Sequence, residues 1–220
     1  MYKSNERQRQ SQAERTAQTR GALLTTARRL FAEQGYHMTA TEDLVRTAKV
    51  TRGALYYHFA DKRDLFRTVV EQIEDELDLL VREAASGGSD LWDRIARGVD
   101  AFLEACSQQD IKQILLVDGP SVLGWKEWHE QDARHSLAQI EESLHALTAA
   151  GFTLPTAVKP LAHLLHGATL EAAFYLANAE DPSAARAEVG RGIQQLFIGL
   201  VQSGRPSEKP EEDAGGCGRE

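Results

Sequence analysis

The chain is predicted to be all-α, with about nine helices forming a small N-terminal three-helix unit followed by a larger helical domain. Three observations carry that prediction. Apolar residues recur at helical spacing with no convincing strand alternation, long segments are free of proline, and the charge changes sign along the chain. Residues 1–63 hold 12 Lys+Arg against 6 Asp+Glu, a balance of +6, whereas the whole 220-residue chain is at -8. The remainder is therefore at -14. A polyanion would be drawn to the first third and repelled by the rest.

The helices follow in order. Leu23, Ala27, Leu30 and Phe31 make an apolar stripe on a helix from about Thr19 to Gln34, stopped by Gly35. The run TATE places a capping box at Thr39 and Glu42, opening a second helix with Leu44, Val45 and Ala48 inward. Thr51 is a good N-cap for a short third helix ending near Phe59. Asp61 caps a long fourth carrying Leu65, Phe66, Val69, Val70, Ile73, Leu77 and Leu80 on one face. Beyond SGGSD, Ser89 or Asp90 opens a helix to about Ser107, and a shorter one spans Ile111 to Val117 before a turn at DGP. Ser121 to Ala150, Pro155 to about Asn178, and Asp181-Pro182 to about Ser203 complete the set. Residues 1–15 and 204–220 read as polar, disordered tails, which leaves 16–64 and 65–203 as the two domains.

Composition excludes several classes. The chain has no apolar run of the roughly 18 residues a membrane span needs, and its polar N-terminus lacks the apolar core of a secretory signal, so a cytoplasmic protein without membrane association is expected. Two cysteines, Cys106 and Cys217, suggest neither a disulfide framework nor a thiolate zinc site. The chain lacks a Gly-x-Ser-x-Gly turn, a Cys-His signature and a phosphate-cradling glycine loop, so it is not expected to be an enzyme and no cofactor is assigned. His163 and His166, with His129 or His135, could reach one ion, but without cysteines or paired carboxylates the pattern is weak and no metal ligand is assigned.

The stretch TRGALYYHFADKRDLF carries the sharpest signal. At about 100° per residue, Leu55 and Phe59 share the inner side of the third helix while Gly53 and Tyr57 lie opposite, flanked by Arg52 and Tyr56. Two helices joined by a tight turn, the second short and basic at its start, form a helix-turn-helix whose second helix suits the DNA major groove. Arg52 has the donor fork for guanine, and Thr51, Tyr56, Tyr57 and His58 suit phosphate oxygens or thymine methyls. Gly53 allows close backbone approach, and Thr41 and Lys62 would flank the groove.

The segments ARRLFAEQGY, TATEDLV and TRGALYYHFADKRDLF, in that order and spacing, resemble the DNA-binding domain of TetR-type transcriptional regulators. The resemblance runs from Thr19 to about Val70 and puts Thr41, Arg52, Gly53, Tyr56, Tyr57, His58 and Lys62 where the family touches DNA. The chain departs from the family at AKV, where many members have AGV, so Lys49 must take the turn conformation glycine adopts freely. The resemblance implies a C-terminal helical ligand-binding and dimerisation domain. The expected partners are double-stranded palindromic operator DNA, a small-molecule effector and a second copy of the chain, joined through the last two helices. Aromatic weight around LLVDGPSVLGWKEWHEQDARHSL suggests an effector pocket for an apolar or aromatic molecule, lined by Trp92, Phe102, Leu116, Trp125, Trp128, His129, His163, His166 and Phe174. A homodimeric repressor released by its effector is the expected function. An activator of the same fold, or an adaptor that binds protein through the exposed tyrosines, are the alternatives.

Overall fold

The computed structural model describes residues 2–202, with side-chain environments for residues 12–200. These residues are helical throughout: α1 (Tyr2–Met38), α2 (Thr41–Thr47), α3 (Arg52–His58), α4 (Lys62–Ser86), α5 (Leu91–Cys106) and α6 (Gln109–Ile111). The last continues as a π-helical stretch, Lys112–Asp118, into α7 (Gly119–Leu123), and α8 (Trp125–Ala149), α9 (Val158–Ala177) and α10 (Pro182–Gln202) follow. Counted as one rod from α6 through α7, they make nine helices among the described residues.

Local chemistry sets most boundaries. Gly35 interrupts α1 with φ 78°. Thr51 Oγ1 accepts from the Ala54 amide at 3.1 Å, Asp61 accepts from Asp64, and Asp90 accepts from Trp92 and Asp93, each closing an otherwise orphaned donor of a first turn. Asp181 does the same for Ser183 and Ala184. Lys49 holds φ 56°, the left-handed conformation expected of it.

Four expectations need correction. α1 begins at Tyr2, so residues 2–15, expected as an arm, are helical; their Gln, Arg, Glu and Ala residues are good helix formers and no Gly or Pro interrupts them. The capping box at Thr39 does not form. Thr39 is fully buried and its hydroxyl donates back to the Gly35 carbonyl at 2.8 Å, which leaves Ala40 as an N-cap with no side-chain bond. Asp118-Gly119-Pro120 is not a turn, because Pro120 sits in the first turn of α7 where its missing N–H costs nothing; the break comes at Gly124, with φ 79°. Helix α9 starts at Val158, three residues after Pro155. The expectation about residues 204–220 lies outside the described residues.

The core is shared between the two parts. One cluster runs from Leu23, Phe31, Leu44, Leu55 and Phe66 into Ile114, Leu115, Leu116 and Trp128, so apolar packing is continuous across the expected boundary at residue 64. A second cluster, with Leu103, Leu144, Leu161, Leu165, Leu176, Ile193 and Phe197, closes α5, α8, α9 and α10 upon one another. Gly119 is required for this packing. A Cβ there would stand 2.7 Å from the Trp128 ring, so glycine lets α7 lie directly against the indole.

Candidate nucleic-acid interface and cavity

Helix α3 is anchored by Leu55 and Phe59, which are 0% and 2% exposed, and presents Tyr57 at 77% and Tyr56 at 44% exposure. Rings left this open contribute little to the core of this chain. Tyr57 packs edge-on to His58 with ring centroids 5.1 Å apart, and His58 is only half-buried. Arg52 hydrogen-bonds Glu42 across the turn at 3.2 Å, and its guanidinium lies 5.6 Å from the Tyr56 ring. Both contacts are exposed and exchangeable, so the fork can turn outward at little cost. Thr51 and Gly53 are exposed, and a Cβ on Gly53 would meet nothing nearer than Thr51 Oγ1 at 3.9 Å. Thr41 opens α2 and is half-buried.

Lys62, expected at phosphate, is turned inward. Its Nζ donates to the carbonyls of Tyr36 and Thr39, each at 2.9 Å, and sits 4.1 Å from the centre of the Tyr36 ring. Burial lowers its pKa. The ammonium thus clamps the turn between α1 and α2, where the Tyr36 carbonyl also accepts from the Thr39 amide. Sequence reasoning also missed the side chains that tie this unit to the rest. Asp118 accepts from the Tyr36 amide at 2.8 Å across 82 residues. Arg63 donates to the carbonyls of Val122 and Leu123, and both Arg63 and Arg67 bond Glu127. Those two arginines, Arg67 foremost, hold the Glu127 carboxyl below its ordinary range. No local pattern flags such pairs, since each partner reads alone as an ordinary surface charge.

A cavity of about 100 Å³ lies between α4, α5, α8 and α9, with Phe197 of α10 also in its lining. Of the expected lining residues, Phe102 and His166 reach it. The others do not. Trp92 packs on Phe152, Leu116 and Trp128 are in the core, and Phe174 packs on Trp128 with centroids 5.7 Å apart. Trp125 is 59% exposed and stacks on His129, and His163 faces outward. The spacing was right for one helical face, but the aromatic belt serves packing instead. The unanticipated lining includes Glu74, Asp132, His135, Ser136 and Gln139. Burial, reinforced by the Asp132 charge, drives the Glu74 carboxyl well above its usual range. Burial likewise raises the Cys106 thiol, which is thereby unreactive.

Helices α2 and α3 form a helix-turn-helix, and the larger all-helical part packed on it lines a small cavity, which together define the class of helix-turn-helix regulators with a helical C-terminal domain. Residues 23–69 match the family described as bacterial regulatory proteins, tetR family, and residues 92–200 match the tetracyclin repressor-like C-terminal domain. The crystal structure of a TetR-family transcriptional regulator from Pectobacterium atrosepticum is 34% identical, with 87% of this chain and 98% of that chain covered and a TM-score of 0.77. The HTH-type transcriptional regulator AcrR of Shigella flexneri is 43% identical over 60 residues, 27% of this chain and 28% of that protein. The HTH-type transcriptional activator FasR of Mycolicibacterium smegmatis is 33% identical over 85 residues, 39% of each. The chain thus spans well under half the length of these two relatives. It belongs to the TetR family.

Proposed function

We propose that the chain is a homodimeric transcriptional repressor that binds a palindromic DNA operator and is released by a small, largely apolar effector. The observation that carries this reading is the outward face of α3, where Tyr57, Tyr56, Arg52 and Gly53 are exposed on the segment of positive charge. Arg52 would read a guanine, Tyr57 and Tyr56 would meet phosphate or a thymine methyl, and Thr51, His58 and Thr41 would contact the backbone at the groove edges. Lys62 supports this face from behind.

A dimer is supported by what α9 and α10 leave uncovered. Leu164 and Tyr175 on α9 and Leu196 on α10 are 68%, 56% and 53% exposed, next to the exposed glycines Gly167 and Gly192. Large apolar side chains beside small ones suit close helix pairing in a two-fold interface. The apolar positions Ile193, Phe197, Leu161 and Leu165 are spent inside the monomer.

The cavity at about 100 Å³ is smaller than the roughly 300–1,000 Å³ of typical ligand pockets, so effector entry requires α4, α5, α8 and α9 to part. Movement of α4 would reach the reading face directly, and the Asp118–Tyr36 bond with the Arg63 bonds to the Val122 and Leu123 carbonyls gives it a second route through the π-helical rod and α7. A preference of about 1–3 kcal/mol of the effector for one spacing of the two reading helices alters operator affinity about 5- to 150-fold.

Repression requires only that the dimer occupy its site, whereas activation requires a further surface for the transcription machinery. FasR is named an activator, so the sign is measured and not assumed. Among the described residues no helix is long and apolar enough to cross a membrane, and a DNA-bound role puts the working chain in the cytoplasm. Selection from random duplexes tests the reading: recovery of a palindrome, followed by effector-induced release of intact DNA, is expected. Recovery of no preferred sequence would leave the adaptor reading, and turnover of the small molecule would make the chain an enzyme.

A further inference from the structure

Four buried polar atoms make no hydrogen bond, three on the cavity wall (Glu74 Oε1, Asp132 Oδ2 and His166 Nε2) and one, His129 Nδ1, on the ring packed beside His166. Glu74, Asp132 and His166 are 5%, 4% and 3% exposed, so water does not serve them freely. Leaving even one such group unpaired is costly, and four in one place is outside ordinary packing. Three of these side chains, His129, Asp132 and His166, bring one nitrogen or oxygen each within 4.8 Å of the others.

The contacts of His166 suit its two ring nitrogens to different roles. Ser136 Oγ donates its one proton to the Asp132 carbonyl at 2.8 Å, so toward His166 Nδ1, 3.1 Å away, it offers only lone pairs. With Nδ1 as the donor to that hydroxyl, Nε2 is able to act as an electron-pair donor. That nitrogen lies 3.1 Å from Asp132 Oδ2 without an in-line N–H···O bond between them. A proton placed there would join two of the four atoms at most, with His129 Nδ1 and Glu74 Oε1 still unpartnered. A cation among His129, Asp132 and His166 serves those three together.

We propose that His129 and Asp132 of α8 and His166 of α9 bind a divalent transition-metal cation, with Glu74 of α4 as the adjacent carboxylate. His129 and Asp132 stand at i and i+3, on one face of α8 toward α9. Three atoms mutually within 4.8 Å share a point about 2.8 Å or less from each, a small side-chain adjustment from the roughly 2.0–2.2 Å of zinc–nitrogen and zinc–oxygen bonds. Two imidazoles and a carboxylate favour zinc, cobalt or nickel over magnesium or calcium, which take all-oxygen shells. Trp125, stacked on His129 with its ring 8° from parallel, holds that imidazole in place, and Ser136 orients the other. The bound ion would tie α8 to α9 beside α4, and its binding holds whether or not the chain reads DNA.

The test uses the full, untagged chain stripped with EDTA and titrated with Zn²⁺ or Co²⁺ alone, read by calorimetry, cobalt absorption and melting. Expected are one ion per chain at micromolar affinity or tighter and a melting midpoint raised by about 5 °C or more. His129→Asn should weaken binding at least 30-fold and abolish the rise in melting, while His163→Asn, at an exposed histidine, should change neither. If His129→Asn fails to fold by circular dichroism, Ser136→Ala decides, since loss of the orienting hydroxyl should weaken binding about 10- to 100-fold with all ligands kept. Wild-type affinity weaker than about 100 μM, wild-type-like binding by the folded His129→Asn or by Ser136→Ala, or loss of binding in His163→Asn would overturn the site.

Discussion

At the level of single residues, α3 separates what the fold requires from what a partner requires. Leu55 and Phe59 are needed for docking, but Gly53 is not: its backbone is helical and a methyl would meet only Thr51 Oγ1, at an ordinary contact distance of 3.9 Å. Glycine inside a helix costs about 0.5–1 kcal/mol relative to alanine, with nothing inside the chain to offset it. Gly53→Ala should therefore raise stability by about that amount in denaturant unfolding while weakening operator binding, because the added methyl stands where DNA would approach. Stabilisation without loss of DNA affinity would remove Gly53 from the interface. Tyr57→Ala should leave stability within about 0.5 kcal/mol and weaken specific binding by about 1–3 kcal/mol, measured by titration of the selected operator. Lys62 behaves in the opposite way. Since its ammonium bonds two carbonyls at 2.9 Å, Lys62→Met should destabilise the domain by about 1–3 kcal/mol and leave the salt dependence of DNA binding unchanged; a flatter salt slope would restore it to the phosphates.

At the level of elements, what could be read in advance follows the range of the interactions. The stop at Gly35, the caps at Thr51 and Asp61, and the inward pair of α3 depend on residues within about one turn, and each appears where the pattern puts it. Thr39 fails the same logic because its hydroxyl had two local options, and burial against Gly35 chose the backward bond. The cavity was legible at two positions only: helical spacing places Phe102 and His166 on inward faces, but which face meets which neighbour depends on α4, whose Glu74 looks like any surface acid in the sequence. The joint between α4 and α8 was not legible at all, and it has a consequence for pH. The Glu127 carboxyl lies below its ordinary value because Arg67 and Arg63 favour its charged form. Its contribution to stability is thus complete above the unfolded value near 4.5 and is lost as pH falls through the lower folded value. Wild type should lose melting temperature on acidification through that range more steeply than Glu127→Gln, which has no proton to take up. Parallel curves for the two proteins would show that the pair carries no stabilisation.

At the scale of the whole molecule, the charge split and the uncovered helices address the same requirement. A segment at +6 attracts phosphate without regard to sequence, while the acidic remainder at -14 keeps the rest of the surface off DNA, so orientation on the duplex is set before any base is read. One short helix reads too few bases for useful specificity, and two copies joined through α9 and α10 would multiply the discrimination of each. Charging that face tests the link. In Leu164→Glu/Leu196→Glu both substituted side chains are exposed, so monomer packing is retained and stability should change by less than about 1 kcal/mol, whereas a two-fold interface would gather four new carboxylates at its centre. The variant should sediment as a monomer with wild-type helicity. Its affinity for the full palindrome should fall to that for an isolated half-site, a loss of about 100-fold or more, because the second reading helix is no longer delivered by the first. An undiminished dimer would move the interface elsewhere on the molecule, and a monomer that still bound the palindrome at full affinity would show that specificity resides in one copy of α3.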